Sequence, residues 1–256
     1  MLEIEFLGTG TSCGVPTVRC HCPVCESTDP RDQRLRCSSI VRYGGKNILI
    51  DCGPDFRQQM LRATSDDLDA LLLTHIHYDH AGGIDDLRPY TYEHDFPIYA
   101  RKDVIIHLRQ TMPYVFGSHQ YPGVPQLNFI EVKDNEAFKI GDVEVNPISV
   151  IHGRLPILGY RIGPLAYITD CKTLADEQIE QLENVPLLVL SALRWTGLHH
   201  SHLLVDEALE LVSKIKPRRT LLIHMTHEIG FHDEVNHRLP DHVQLAFDTQ
   251  IVRIEE

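Results

Sequence analysis

The chain has 256 residues, enough for one large α/β domain, and its 43% of hydrophobic residues can fill a sizeable core. A formal charge of −12 opposes broad nucleic-acid binding, which rests on cationic surface, and no stretch approaches the roughly 18 apolar residues that span a membrane. The first eight residues have neither the basic start nor the apolar run of a secretory leader, so the expected setting is cytoplasmic, with no membrane and no large nucleic acid as partner.

Residues 2–7 alternate as a strand. Gly8-Thr9-Gly10-Thr11-Ser12 follows, either a plain turn or a set of backbone N–H groups offered to an anion. Cys20, Cys22 and Cys25 then place three of the chain's seven cysteines on one short knuckle. In a cytosolic chain, bunched cysteines read as a metal site before they read as disulfides. A closed zinc site needs four ligands, and His21, Cys37 and His227 all qualify as the fourth on chemistry. Residues 38–43 and 46–51 form two strands around Gly44-Gly45. Asp51 ends the second strand. It either orients a metal-binding histidine or caps a helix expected over 55–63.

An apolar strand over 68–73 runs into Thr74-His75-Ile76-His77-Tyr78-Asp79-His80-Ala81-Gly82-Gly83, with three histidines and one aspartate inside six positions. Imidazole and carboxylate together suit Zn, Mn or Fe. Ligands this dense crowd a single ion, so two adjacent ions are the simpler reading.

Residues 83–93 are expected to be partly helical, 102–112 helical, and 114–125 a long loop that either walls a site or merely connects. Strands follow at 128–132, 136–140 and 143–150, with His152 just after the third. A hairpin over 159–162 and 165–169 leads to Asp170, and 187–190 is a further strand. The loop 194–202 carries His199, His200 and His202, and 203–215 has helical periodicity. His224 follows a strand at 220–223, with His227 three positions on. A short helix at 233–238 and a strand at 251–254 close the chain. With no repeat or linker, residues 1–256 are expected to form a single domain. His75, His152, Asp170 and His224 all sit at or just past strand ends, and such ends converge on one rim in α/β folds.

Phe6-Leu7-Gly8-Thr9-Gly10, Leu49-Ile50-Asp51-Cys52-Gly53, the H-x-H-x-D-H loop, His152, Asp170 and His224 come in an order that resembles the metallo-β-lactamase superfamily. Within it, the C-x-C-x2-C knuckle resembles the phosphoribosyl 1,2-cyclic phosphate phosphodiesterases of bacterial phosphonate breakdown. The fold this implies is a four-layer αββα sandwich of two mixed sheets with helices outside. The resemblance assigns His75, His77 and His152 to one catalytic divalent ion and Asp79, His80 and His224 to a second, with Asp170 bridging; Zn and Mn are the candidates. It also selects His227 as the fourth ligand of a structural zinc with Cys20, Cys22 and Cys25.

The implied chemistry is attack on phosphorus by a water that the two shared ions deprotonate. His202 matches the family's acid position, with His199 and His200 as fallbacks, and Asp79 is counted with His202 as catalytic. The expected substrate is a small cyclic phosphodiester, and the resemblance implies a homodimer. The alternatives are a ribonuclease Z-like enzyme, a thioester or lactone hydrolase, and a non-catalytic metal or nucleotide sensor.

Overall fold

The computed structural model describes residues 1–92, 94–117 and 121–255. Among these, strands β1 (Leu2–Gly8), β2 (Ser38–Tyr43), β3 (Lys46–Ile50), β4 (Ala70–Leu72), β5 (Phe96–Ala100) and β6 (Leu127–Glu131) belong to one sheet. Strands β7 (Phe138–Ile140), β8 (Val143–His152), β9 (Leu155–Ile162), β10 (Leu165–Ile168), β11 (Leu187–Ser191), β12 (Arg219–Ile223) and β13 (Val243–Leu245) form the other. The last strand, β14 (Ile251–Ile254), returns to pair with β1. Both sheets are mixed. In the first, β14-β1-β2-β3 is antiparallel and β3-β4-β5-β6 parallel. In the second, β7-β8-β9-β10 is antiparallel and β10-β11-β12-β13 parallel.

Both faces of each sheet are covered, so the strands read as apolar runs whose alternate residues serve different layers. Leu2, Ile4, Phe6, Ile48 and Ile50 of the first sheet meet Tyr160, Tyr167, Val189 and Leu221 of the second in a central core. Leu49 and Leu71 point outward to Phe56, Val104 and Leu108. Leu188, Leu190 and Leu222 point outward on the other side, to Ala208, Leu211, Val212 and Ile215. These last four lie on one stripe of the helix Val205–Ile215, the spacing that makes one helical face apolar. Glu207 accepts from the Leu204 N–H at 2.8 Å and secures the start of that helix. The result is the expected four layers.

Several boundaries differ from the sequence reading. Strand β8 runs through His152 instead of ending at 150, because residues 151 and 152 keep pairing with β9, which itself starts at Leu155 rather than 159. The helix expected over 55–63 is the shorter Phe56–Met60. Residues 84–91 form 3-10 turns, while Glu93 lies outside the described residues. The loop expected over 114–125 begins inside a short helix, Pro113–Phe116, and residues 118–120 fall outside the described set. Strands β5 and β13 and the helix Asp176–Gln181 have no counterpart in the sequence reading. In Phe96–Ala100 the second residue is a proline, which argues against a strand in the sequence, and Val243–Leu245 is only three residues long. No helix among the described residues is long and apolar enough to cross a membrane.

Candidate metal centre

The C-terminal ends of β3, β4, β8, β10 and β12 deliver Asp51, His75, His152, Asp170 and His224 to one rim. Asp51, Asp170 and His224 take positive φ values of 61°, 50° and 60°, which turn the chain sharply out of its strand. A non-glycine residue pays for that conformation, and such strain gathers at functional sites. The loop carrying His77 to His80 is pressed against the end of β3: Cys52 N–H donates to the His80 carbonyl at 2.7 Å, and Gly83 N–H to the Cys52 carbonyl at 2.8 Å. Gly53 permits this approach, since a Cβ there would stand 2.1 Å from the Asp79 carbonyl oxygen.

His75, His77, His152 and Asp170 bring one ligand atom each within 4.8 Å of one another, and Asp79, His80 and His224 do the same beside them. Asp170 faces both groups. Its Oδ1 lies 3.2 Å from Nε2 of His80 and of His224, and its Oδ2 lies 3.8 Å from His75 Nε2 and 4.0 Å from His152 Nε2.

Three of the imidazoles are held through Nδ1. His80 Nδ1–H donates to Asp51 Oδ2 at 2.7 Å, and His152 Nδ1–H to the Ser201 carbonyl at 2.8 Å. His75 Nδ1 lies 2.9 Å from Thr74 Oγ1, whose hydroxyl is 2.8 Å from Asp51 Oδ2. The proton order that satisfies this chain is His75 to Thr74 to Asp51. Each Nε2 is thereby left with its lone pair aimed inward.

This donor set fits divalent cations. His80 Nε2 and His224 Nε2 stand 3.4 Å apart, surrounded by the carboxylates of Asp79 and Asp170, and His75 Nε2 is buried with no hydrogen-bond partner among the described residues. Converging lone pairs repel unless positive charge sits between them. The titration directions agree. Burial holds His75 well below the usual imidazole range. Burial would also lower His80, but Asp170 and Asp51 outweigh it and raise that residue. Asp79 and Asp170 stay below the usual carboxylate range, because neighbouring His224 and His80 overcome the burial that would raise them.

His202 stands against this cluster, its Nδ1 3.9 Å from Asp170 Oδ2 and its ring 4.6 Å from that of His152 and 5.0 Å from that of His224. Burial, with His224 next, pulls it down to about 3. His199 is turned back toward the chain: its Nδ1 accepts from the backbone N–H of His202 at 3.2 Å and of Ser201 at 3.4 Å. His200 is exposed and stacks on His199.

Of the two readings of Asp51, the structure favours orientation, since its carboxylate serves Thr74 and His80 and not a helix start. The anion reading of the Gly8–Ser12 turn is corrected. Thr9, Gly10 and Thr11 N–H donate to Asp248, Leu35 and Met225, so these amides are consumed inside the protein, and Gly10 braces the turn just after His224. Thr74 and the Ser201 carbonyl were not singled out by sequence reasoning. A threonine before a histidine or a backbone oxygen carries no motif.

Cys20, Cys22, Cys25 and His227 gather within 4.8 Å, with Cys22 Sγ 3.2 Å and Cys20 Sγ 3.8 Å from His227 Nδ1. His21 instead faces Glu26 at 3.4 Å on the surface, and Cys37 is buried beside the Tyr167 hydroxyl. The Cys25 backbone N–H leads in drawing the Cys22 thiol down to about 6, while burial pushes Cys25 up to about 11. Three thiols this close share protons unless a cation takes their place, which suits a tetrahedral zinc.

Residues 46–225 match the family model of the beta-lactamase superfamily domain. The chain is 45% identical over 252 residues to an octanoyltransferase of Porphyromonas gingivalis, covering 98% of this chain and 51% of that protein. A ribonuclease Z of Methanopyrus kandleri is 28% identical over 168 residues, covering 63% of this chain and 50% of that protein. The chain thus spans about half the length of these two curated relatives. Among solved structures, a diphosphatase from the PhnP family superposes with a TM-score of 0.91 at 38% identity, covering 98% of this chain and 96% of that one. Zn(2+)-bound PqqB of Methylobacterium extorquens, at 18% identity and a TM-score of 0.77, shares the fold. With the two mixed sheets and the histidine–aspartate rim, these matches show that the chain belongs to the metallo-β-lactamase superfamily and is PhnP-like in build.

Proposed function

We propose that this chain is a binuclear metal-dependent hydrolase of a small cyclic phosphodiester, either phosphoribosyl 1,2-cyclic phosphate or a 2′,3′-cyclic nucleotide. The supporting observation is the position of Asp170, one carboxylate oxygen toward His80 and His224 and the other toward His75 and His152. His75, His77 and His152 would hold one ion, Asp79, His80 and His224 the other, and Asp170 both. When bound, Zn or Mn ions at such a site activate water and offset charge on phosphoryl oxygens. Cys20, Cys22, Cys25 and His227 would hold a separate structural zinc.

The chain's own residues do the rest. Asp51 and the Ser201 carbonyl fix the rings of His80 and His152 before substrate arrives, so little reorganisation remains at the moment of reaction. Burial, with His224 next, holds the His202 ring below the usual imidazole range. A phosphodiester anion beside it favours the protonated ring, which can then hand its proton to the leaving oxygen.

A second reading, hydrolysis of a diphosphate bond, is favoured by the 38% identity to the PhnP-family diphosphatase over nearly the whole of both chains. The two readings differ in the leaving group, which is a sugar alkoxide in the first and a phosphate in the second. Turnover of the metal-loaded protein on 2′,3′-cyclic nucleotides, a ribose 1,2-cyclic phosphate, ADP-ribose and precursor tRNA separates them. Preference for the cyclic esters is the expected result. Cleavage of ADP-ribose alone moves the assignment to the diphosphatase reading, and 3′ processing of precursor tRNA alone moves it to the ribonuclease.

A further inference from the structure

We infer that His199 is a positioning residue: its Nδ1 gathers the backbone amides of Ser201 and His202 and so sets both the ring of His202 and the carbonyl that steers His152. The loop 194–202 leaves β11 and re-enters the fold at Leu203, whose N–H donates to the Cys171 carbonyl at 2.8 Å and whose carbonyl accepts from Leu193 N–H at 2.9 Å. Between these anchors the loop carries glycine and exposed Leu198 and has no regular structure of its own. Its last turn is nevertheless the part that touches the metal centre.

His199 Nδ1 lies 3.2 Å from the His202 amide nitrogen, 3.4 Å from the Ser201 amide nitrogen and 3.4 Å from Ser201 Oγ. Two backbone N–H groups can only donate, so Nδ1 is the acceptor and the ring carries its proton on Nε2. This is the arrangement by which a side chain of Asn or Asp caps amides two and three residues further on, here made by an imidazole. Its consequences run in two directions from Ser201 and His202. The Ser201 carbonyl accepts from His152 Nδ1–H at 2.8 Å and so fixes the tautomer of that ring. The His202 ring, 4.8 Å from that of His199, faces Asp170 and His224. Gly153, beside His152, has φ +63°, and a Cβ there would stand 3.1 Å from Ser201 Cβ, so the two turns are closely packed. A shift of the 201–202 backbone is therefore passed to both histidines.

This reading excludes His199 as the acid. It depends on the proposed function only for the size of the effect on rate. The geometric part has its own readout, the hydrogen exchange of the Ser201 and His202 amides.

The test uses the metal-loaded full chain and the variants His199→Asn and His199→Leu. Asparagine can put its Oδ1 where the imidazole Nδ1 stands, and it cannot act as an acid at neutral pH. In His199→Leu, loss of a hydrogen bond should speed exchange of the two amides about fivefold or more. Misplacement of the reacting group should lower kcat by roughly 10–100-fold, with KM moving less. His199→Asn should restore amide protection and bring kcat to within about threefold of the wild type, a residue of imperfect placement. Equal damage in the Asn and Leu variants, with amide protection intact in both, would assign the ring a role of its own and overturn positioning. Wild-type exchange and rate in His199→Leu would overturn it too. If the wild type turns over none of the phosphate substrates, the exchange measurement alone decides the positioning claim.

Discussion

Asp51 and His80 are both fully buried and joined by a 2.7 Å hydrogen bond, and the same carboxylate takes the Thr74 hydroxyl that reaches His75. One aspartate at a strand end thus orients a histidine of each proposed ligand group. Replacing it should cost more than the loss of a single outer partner. Asp51→Ala is expected to weaken metal binding by at least about 10–100-fold, the usual cost of deleting one such partner. Both catalytic sites should be affected, as read by titration calorimetry with Zn or Mn. Loss at one site only would show that the Thr74 relay carries no weight.

Asp170 serves the two groups more directly. Asp170→Ala should deplete both catalytic ions, whereas His152→Ala should deplete mainly the one shared with His75 and His77. Metal content after gel filtration reports this. Equal metal content in wild type and the Asp170 variant would remove the bridge.

Cys22→Ser should abolish one tightly held zinc per chain, because a serine hydroxyl is a poor ligand for a site built on thiolates. Chelation of the wild type should strip the open rim before the knuckle, whose four ligand positions are all supplied by protein. A Cys22→Ser protein that keeps its full complement of chelator-resistant zinc would show that the knuckle is not a zinc site.

Outside the metal rim, His232 gives a dependence on pH. Burial, with Arg34 and Arg31 next, depresses it to about 4 from an ordinary 6.5, against the opposing pull of Asp233 and Asp32. The unfolded chain binds the proton first, so the contribution of His232 to stability is fully present above about 6.5 and is lost as pH falls toward 4. His232→Gln should flatten that part of the stability curve. Urea unfolding of wild type and variant at pH 7.5 and 4.5 measures the difference. Parallel losses in the two proteins would take His232 out of the acid response.

The legible part of this molecule is the part in which one residue type does one job at a fixed spacing. The H-x-H-x-D-H loop, the three cysteines and the apolar runs of β10, β11 and β12 all read directly from the chain. His152 and Asp170 were reachable by their strand-end positions together with the family order. What could not be read was held by backbone or by packing. The Ser201 carbonyl that steers His152 has no side-chain signature, and the three-residue Val243–Leu245 is too short to show a period. Asp51 was recognisable as a strand-end aspartate, but its double service depends on how close β4 lies to β3, which only the fold supplies.

The role proposed for His202 turns on the leaving group. A general acid matters in proportion to how poorly the leaving oxygen bears negative charge, and its contribution is typically about 10²–10⁴-fold. A sugar alkoxide needs that proton badly, whereas p-nitrophenolate hardly needs it. His202→Ala should therefore lower turnover of a cyclic sugar phosphate by about 10²–10⁴-fold and that of bis(p-nitrophenyl) phosphate far less. Metal content should be unchanged, since His202 Nδ1 stands 3.9 Å from Asp170 without belonging to either proposed ligand set. Equal losses on the two esters would assign His202 to substrate binding or to metal positioning. A loss confined to the poor leaving group, with metal retained, is the result that makes it the proton donor.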